Sequence, residues 1–375
     1  MKESLYVGLM SGTSIDAIDC AIVQCSDSGI SILASREHPI PAATRKRIAT
    51  LSHTGPDEIE HMGKLDRELG QLFSEATLAL LSEAAIAPRD IAAIGSHGQT
   101  IRHHPASAGH SPEESFTVQI GDPNTIAEMT GITTVADFRR RDIAAGGEGA
   151  PLAPAFHAAA FSSEGVNRAI VNIGGIANAS LLAGEKLLMG FDTGPGNTLL
   201  DHWISHHRGE RYDRGGNWAA EGKMIPELLQ GMMLHPYLSK SGPRSTGKEA
   251  FNLDWLGSCH ADIASLNTQD VQATLAEFTA ATIAMSLEKC KAKISEVYIC
   301  GGGAHNTDLM RRLHQKLTTV KLDTTAALGM DPDWVEAAAF AWLARQSILG
   351  LAGNAPVVTG ARGPRVLGGV FPGPK

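Results

Sequence analysis

Glycine clusters beside short apolar runs constrain the fold of this chain most strongly. The chain has 40 glycines among 375 residues, whereas an average usage of about 7% would give roughly 26. Three clusters, at residues 8–16, 190–197 and 300–306, adjoin strand-like apolar runs. Glycine has no side chain, so it lets the backbone lie close to a ligand or to another element. The pattern predicts an α/β fold whose strand ends carry ligand-binding turns.

Composition and charge exclude several classes of protein. With 43% hydrophobic and 19% charged residues, the chain has the composition of a globular protein. Its net charge of -8 argues against a nucleic-acid binder, which must neutralise many phosphates. The N-terminus lacks a long apolar core and no 18-residue apolar run occurs, so we expect neither export nor a membrane span. Five cysteines without a Cys-x-x-Cys pair predict free thiols and a cytoplasmic location.

Strand-like and helical patterns alternate along the chain and recur. Helices are predicted over residues 56–85 and from Asp122-Pro123, about Asn197 and Asp331-Pro332. Strands are predicted at 5–10, 17–25, 30–35, 91–95, 116–120, 132–136, 169–173, 179–182, 187–191 and 297–300. Segments 7–12 and 171–176 both enter a small-residue turn from a strand, which indicates an internal repeat.

The repeat predicts two similar α/β domains that face each other across a cleft. We place the first at residues 1–138 and the second at 139–375. The glycine- and proline-rich tail, residues 349–375, is compatible with packing back on the first domain.

The first glycine cluster has the composition of a phosphate-binding turn. It combines Gly8 and Gly12 with an acid, Asp16, and with three hydroxyl residues, Ser11, Thr13 and Ser14. Freed backbone amides and hydroxyls can hold phosphate oxygens, and Asp16 can hold Mg²⁺ through water. A tight hairpin whose hydroxyls satisfy the turn itself explains the same residues equally well.

The second cluster places Asp192 near the carboxyl end of a strand, where a general base is expected. Asp192 can equally cap the turn or the following helix. Asp192-Thr193-Gly194 is also the tripeptide of aspartic proteases, which need two such carboxylates. Only one copy occurs in this chain, so the protease interpretation requires a dimer through that site.

Other segments offer weaker signals. The glycines at 301–303 let backbone lie flat against a planar ligand such as adenine, or simply permit close packing. Residues 242–249 nearly spell a P-loop, but Glu249 stands where Ser or Thr is required, so we interpret them as a surface loop able to reach the cleft. No His, Glu or Cys cluster has zinc-ligand spacing.

Three further polar segments could contact a substrate. Glu336 shares helical spacing with Ala339, Phe340 and Leu343, which puts a carboxylate on an apolar helix face or at its solvent edge. His97 lies in a polar segment after a strand and offers groups for a sugar. The triplet Arg139, Arg140 and Arg141 offers cations for a carboxylate. A satisfied loop histidine and a solvated charge run are the alternatives.

Taken together, these motifs closely resemble those of the anhydro-N-acetylmuramic acid kinase family. The resemblance runs from Val7 to about Ala344 and rests on segments 8–19, 95–100, 119–123, 137–142, 172–178, 190–197 and 301–306. It implies membership of the superfamily of sugar kinases, actin and heat-shock chaperone ATPases. The implied fold is two ribonuclease H-like, actin-like ATPase domains, each a mixed β-sheet flanked by helices.

The resemblance also implies a reaction. ATP phosphorylates 1,6-anhydro-N-acetylmuramic acid at O6 while water opens the anhydro ring, giving N-acetylmuramic acid 6-phosphate and ADP in peptidoglycan recycling and amino-sugar catabolism. ATP and Mg²⁺ are the implied cofactors and the sugar is the implied partner. Neither nucleic acid nor membrane is expected, and the chain is compatible with a homodimer. A non-catalytic nucleotide-binding regulator of the same fold is the alternative.

By the same resemblance, Asp192 is the base that activates water. The substrate contacts are His97, Arg139, Arg140, Arg141 and Glu336. The nucleotide contacts are Gly12, Thr13, Ser14, Ile15, Asp16, Ala17, Ile18, Asp19, Gly174, Gly301, Gly302 and Gly303, with Asp16 also near Mg²⁺. Ala17 stands where the family often has glycine, and it would strain the turn if that position required a positive φ.

Overall fold

A computed structural model describes residues 4–12, 15–26, 29–240, 244, 246–290 and 292–374. The chain forms two compact units, which we call the first unit (Met1–Ala160 with Trp334–Lys375) and the second unit (Phe161–Asp333). This division differs from the boundary expected between residues 138 and 139. The chain enters the second unit near residue 161 and returns to the first near residue 334, because a C-terminal helix and the tail pack on the first sheet.

The strands of the described chain, in order, are β1 Ser4–Ser11, β2 Ala17–Ser26, β3 Gly29–Pro39, β4 Ile91–His104, β5 Phe116–Ile120, β6 Thr134–Ala136, β7 Asn167–Ile173, β8 Ile176–Ala183, β9 Lys186–Pro195, β10 Glu296–Cys300, β11 Lys321–Thr324 and β12 Gly369–Phe371.

The α-helices of the same residues are α1 Ala42–Leu51, α2 Glu58–Glu83, α3 Pro123–Thr130, α4 Arg140–Ala144, α5 Ala153–Phe161, α6 Thr198–Arg208, α7 Asn217–Glu221, α8 Pro226–Met233, α9 Leu253–Ser258, α10 Thr268–Glu288, α11 Thr307–Lys316, α12 Val335–Ile348 and α13 Pro356–Thr359.

The two units share one sheet topology, which confirms the internal repeat. In the first unit the strand order is β12-β6-β4-β1-β2-β3, with β5 paired to β4. In the second unit it is β11-β10-β7-β8-β9. In each sheet three consecutive strands pair antiparallel and the first of them also pairs parallel with a later strand (β1 with β4, β7 with β10). Both units are therefore mixed α/β sheets of the expected ribonuclease H-like class.

Sequence patterns locate ten of the twelve described strands but fewer than half of the described α-helices, and three differences are instructive. Strand β4 continues through residues 95–100, which we expected to follow a strand, and Gly98 passes through a positive φ of 71° within it. Helix α1 was missed because it lacks a strong apolar stripe. Helix α12 starts at Val335, after a 3₁₀ turn at Pro332–Trp334. Helix α3 begins as expected, with Asp122 accepting hydrogen bonds from the amides of Asn124 and Thr125.

The tail belongs to the first unit. Strand β12 pairs antiparallel with β6 at the edge of the first sheet. Among the described residues, no helix is both long and apolar enough to cross a membrane.

Helix α12 packs directly on strands β1 and β4 because two glycines leave room for its backbone. A Cβ atom at Gly8 would lie 1.8 Å from the carbonyl oxygen of Ala337, and one at Gly95 would lie 2.0 Å from that of Phe340. The opposite side of the sheet packs on α2 through Leu65, Leu69 and Phe73. Gly8 thus serves helix packing, which replaces the phosphate role expected for it.

We predict that Gly8→Ala destabilises the fold, because the added methyl group forces α12 away from β1. Overpacking of this kind costs roughly 1–3 kcal/mol of unfolding free energy, which urea denaturation would measure. Gly63→Ala in α2 is the matched control, since nothing lies within 4 Å of its added methyl group and alanine favours a helix by up to about 1 kcal/mol. Equal stability of the two variants would contradict the packing argument.

Candidate active site

The turn between β1 and β2 is held from one side by a buried glutamine. The Ser11 hydroxyl donates to Gln99 Oε1 at 2.7 Å, and Gln99 Nε2 donates to the Gly12 carbonyl at 3.4 Å. Among the described residues other than its chain neighbours, no atom lies within 4 Å of the position of a Cβ on Gly12. Thr13 and Ser14, which the resemblance assigns to the nucleotide, lie outside the described residues. The described part of the turn is therefore fixed by hydrogen bonds to Gln99 and leaves open space at Gly12.

Backbone strain in this turn falls on Ile15. Ile15 has a φ of 59°, a conformation that a β-branched residue rarely adopts. Its amide donates to the Gly12 carbonyl at 3.2 Å. Ala17 is not among the described residues with positive φ and begins β2 as ordinary strand, so the alanine causes no strain there.

The other predicted nucleotide residues of this turn differ in their surroundings. Ile18 is fully buried in the core of the first unit, so its side chain faces away from any ligand. Asp19 is half-buried in β2 opposite Met10. Asp16 is half-buried, and its Oδ1 lies 3.3 Å from Arg45 Nη1. One accessible carboxylate beside an open glycine turn fits Mg²⁺ that is held through water and substrate phosphates.

Arg139 is oriented by a buried histidine. Arg139 Nε and Nη2 lie 3.1 and 2.9 Å from His97 Nε2, and Arg139 Nη1 donates to the Gly149 carbonyl at 2.9 Å. His97 is buried, and its Nδ1 lies 2.8 Å from the Gly98 carbonyl. A guanidinium can only donate, so His97 Nε2 must accept and the ring must be neutral with its proton on Nδ1. Burial and the charge of Arg139 hold the pKa of His97 well below its ordinary value.

The Arg139 guanidinium remains a charged and partly accessible donor. Burial lowers the pKa of Arg139 to about 10, while Glu336 and Asp142 favour its charge. It therefore stays protonated at neutral pH. Glu336, in the first turn of α12, is half-buried, which places it at the edge of the apolar helix face.

The arginine triplet is not uniform. Arg140 is exposed and forms an ion pair with Asp137, and Arg141 is exposed. Neither shares the buried support of Arg139. Asp142, which directly follows the triplet, is fully buried and accepts hydrogen bonds from Gly149 N, Asn354 Nδ2 and Thr359 Oγ1 at 2.8–2.9 Å. It fixes the loop after α4 to the tail.

In the second unit, Asp192 lies in β9 with a half-buried side chain. Its Oδ2 accepts a hydrogen bond from the Thr246 amide at 2.9 Å. Burial raises the pKa of Asp192 to about 7, against the opposing effects of that amide and of Arg244. A carboxylate with this pKa can exchange a proton near neutral pH, as a general base must.

The glycines of the second unit differ in whether the surrounding structure leaves room for a side chain. A Cβ at Gly196 would lie 2.3 Å from the Gly174 carbonyl, and Gly174 itself has nothing closer than 3.7 Å. Gly301 has a φ of 76°, and Gly303 would press a Cβ to 2.3 Å from Ile173. Gly302 is exposed, and in the part of the chain that the structure describes no atom beyond its chain neighbours lies within 4 Å of a Cβ placed there. Gly174 and Gly302 are thus open, whereas Gly196 and Gly301 are required by the backbone and Gly303 by the Ile173 side chain.

Two residues near Asp192 were not identified from the sequence. Tyr237 and Arg244 both donate to the Asp192 carbonyl, at 2.7 and 3.1 Å. Arg244 belongs to the segment that resembles a P-loop, so the only sequence signal was a loop expected to reach the site. Among the described residues, no group of three or more His, Cys, Asp or Glu side chains could hold a metal ion.

Comparison with known proteins assigns the family. A family model described as anhydro-N-acetylmuramic acid kinase matches residues 4–373. The chain belongs to the anhydro-N-acetylmuramic acid kinase family. A protein of that name from Shewanella loihica is 50% identical over 374 residues, covering 100% of both chains. Another from Pseudomonas fluorescens is 48% identical and covers 98% of this chain and 99% of its own.

Among solved structures, the activator of the 2-hydroxyisocaproyl-CoA dehydratase from Clostridium difficile aligns with a TM-score of 0.45 and 14% identity, covering 90% of this chain and 92% of its own. The family membership makes this chain a kinase.

We predict that His97 stays neutral across pH 5–8, because its Nε2 accepts from Arg139 and burial disfavours its charged form. Nitrogen-15 NMR of the histidine rings would follow its tautomer and titration, with His97→Gln used for assignment. In the unfolded chain this ring protonates near pH 6.5, so its environment lowers stability as pH falls below that value. Titration of His97 near pH 6.5 in the folded protein would contradict the hydrogen-bond pattern.

Proposed function

We propose that this chain uses ATP and water to convert 1,6-anhydro-N-acetylmuramic acid to N-acetylmuramic acid 6-phosphate and ADP. The observation that carries the proposal is Asp192, whose pKa burial raises to about 7 in a member of this kinase family. A kinase that only moved phosphate to a free hydroxyl would need a base for that hydroxyl. Opening an anhydro ring instead needs a base for water, because O6 carries no proton in the bridged sugar, and Asp192 suits that task.

In the proposed reaction, Asp192 takes a proton from water as the water oxygen bonds to the anomeric carbon. The bond between that carbon and O6 breaks, and its electron pair moves to O6. O6 then bonds to the γ-phosphorus and ADP departs. Mg²⁺, held through water near Asp16, would neutralise charge on the phosphates.

For substrate recognition we propose Arg139 as the residue that binds the carboxylate of the sugar's lactyl group. Its orientation by His97 and the Gly149 carbonyl leaves donors on the Nη atoms for a bidentate contact. His97 then acts through Arg139 and does not contact the sugar. We assign Glu336 to a hydroxyl or amide donor of the sugar, and give Arg140 and Arg141 no direct contact because they are exposed without comparable support.

For nucleotide binding we propose the open glycine turns. Gly12 with the rest of segment 12–19, and Gly174, are assigned to the phosphates, and residues 301–303 to the adenosine. Two buried polar atoms support the second-unit assignment: Asn172 Oδ1 and Thr198 Oγ1 lack a hydrogen-bond partner among the described residues. They lie beside Gly301 and Gly175 respectively, where a ligand could satisfy them.

We predict that kcat rises with pH through about 7, because only deprotonated Asp192 can accept the proton. Below that pH the rate should fall tenfold per unit. Asp192→Asn should lower kcat by roughly 10²–10⁴-fold, yet fold at least as stably because it removes a buried charge. The assay is incubation with ATP, Mg²⁺ and the anhydro sugar, with the product identified by mass. Retained activity in Asp192→Asn would remove the assigned base.

The same assay tests the alternative of a nucleotide-binding regulator. That alternative expects ATP binding without sugar turnover. ADP release that depends on the anhydro sugar would exclude it.

We predict that Gly302→Val weakens ATP binding while the protein still folds, because its side chain would occupy open space proposed for adenosine. Gly303→Val is the matched control, since its side chain would collide with Ile173 and should lower thermal stability instead. Calorimetric titration with ATP and thermal unfolding would separate the two effects. Unchanged nucleotide affinity in Gly302→Val would contradict the placement of adenosine.

A further inference from the structure

The backbone of Asp192 is held on both sides of its peptide group. The Asp192 amide donates to the Arg244 carbonyl at 2.9 Å. The Asp192 carbonyl accepts from Tyr237 Oη and Arg244 Nε, at 2.7 and 3.1 Å. The peptide groups that flank this side chain are thus fixed by a loop and by a 3₁₀ turn, Pro236–Ser239, in addition to the strand pairing of β9.

Arg244 is itself fixed by neighbouring elements. Its Nη2 donates to Ser286 Oγ of α10 at 2.7 Å, and its Nη1 donates to the Lys240 carbonyl. Its Cζ lies 5.5 Å from the ring centroid of Phe191 and 5.2 Å from that of Tyr237, within the range of a cation–π contact. Each of its nitrogen atoms donates to the protein, so Arg244 is suited to hold its surroundings and not to bind a substrate.

The same loop orients the carboxylate. Thr246, two residues after Arg244, donates its amide to Oδ2 of Asp192. A carboxylate oxygen that accepts a fixed amide hydrogen bond is a weaker proton acceptor than its partner oxygen. This directs the incoming proton to Oδ1.

We propose that Arg244 is a positioning residue that, together with Tyr237 and the Thr246 amide, fixes Asp192 so that Oδ1 receives the proton. The positive charge of Arg244 also favours the ionised form of this half-buried carboxylate. That water is the proton donor rests on the proposed function, whereas the effect of Arg244 on Asp192 does not.

The groups that face this carboxylate define the test. They are Arg244 and Tyr237, with Lys240 over the Tyr237 ring and Cys290 of the α10 end near Arg244. Among them Arg244 is the cation that acts on Asp192 directly.

Arg244→Met should therefore raise the pKa of Asp192 by about one unit, since it removes a nearby opposite charge. Carbon-13 NMR of carboxyl-labelled aspartate would measure this pKa, with Asp192→Asn for assignment. The acid limb of the kcat profile should move upward by the same amount, which lowers kcat about fivefold at pH 7 from the loss of ionised base. The KM for sugar and for ATP should remain unchanged.

Arg244→Lys separates charge from geometry. It should keep the pKa of Asp192 near that of the unmodified protein, but lower kcat, because a lysine cannot donate to the Asp192 carbonyl and Ser286 together. Tyr237→Phe should lower kcat without moving the acid limb upward. Arg311→Met, at a half-exposed arginine of α11 paired with Asp308, is the matched control and should change neither quantity.

Two results would overturn the proposal. One is an unchanged pKa of Asp192 in a folded Arg244→Met variant. The other is a rise in sugar KM with kcat intact, which would make Arg244 a substrate ligand. If Arg244→Met fails to fold by circular dichroism, unchanged kcat in both Arg244→Lys and Tyr237→Phe would overturn it instead. If the unmodified protein does not turn over the anhydro sugar, the proposed function fails, and the NMR titration still decides the role of Arg244.

Discussion

The contact of the α12 backbone with strands β1 and β4 determines the arrangement of the first unit. Gly8 and Gly95 admit carbonyl groups of α12 where any side chain would block them. Phe340, whose carbonyl lies against Gly95, turns its ring toward His97 with the centroids 4.7 Å apart. His97 in turn orients Arg139. The close approach of the α12 backbone to β1 and β4 therefore sets the position of Arg139, which the sequence does not distinguish from the other two arginines of the triplet.

Burial acts on the two units with opposite consequences for charge. In the first unit burial lowers the pKa of Arg139 to about 10. The guanidinium still remains charged at pH 7, because that pKa is well above 7. In the second unit it raises the pKa of Asp192 into the neutral range. At neutral pH a half-buried arginine therefore stays charged and can bind an anion, whereas a half-buried carboxylate can gain or lose a proton. The same physical effect thus prepares one residue for binding and another for proton transfer.

The sequence predicts ten of the twelve described strands, the repeat and the family, because these depend on local periodicity and on short motifs. It does not distinguish Gly8, within β1, from Gly12, just after β1, because the atom that excludes a side chain at Gly8 belongs to Ala337, far along the chain. It does not rank Arg139 above Arg140 and Arg141, because support from His97 arises only when β4 and the loop after β6 come together. It also does not indicate that Asp142 is buried, because two of its hydrogen-bond partners lie in the tail.

Some of the conformational cost and of the unsatisfied polarity of the described residues lies at the turns that the proposed function uses. Ile15 adopts a positive φ beside Gly12, a conformation that costs of order 1–3 kcal/mol. Asn172 and Thr198 leave buried oxygens without a partner among the described residues, and each such atom costs about 1–3 kcal/mol. A fold selected for stability alone would replace these groups with glycine at Ile15 and apolar residues elsewhere. Their presence beside the glycine turns is explained if a bound nucleotide donates to Asn172 Oδ1 from its adenosine, accepts from Thr198 Oγ1 at its phosphates, and stabilises the strained loop.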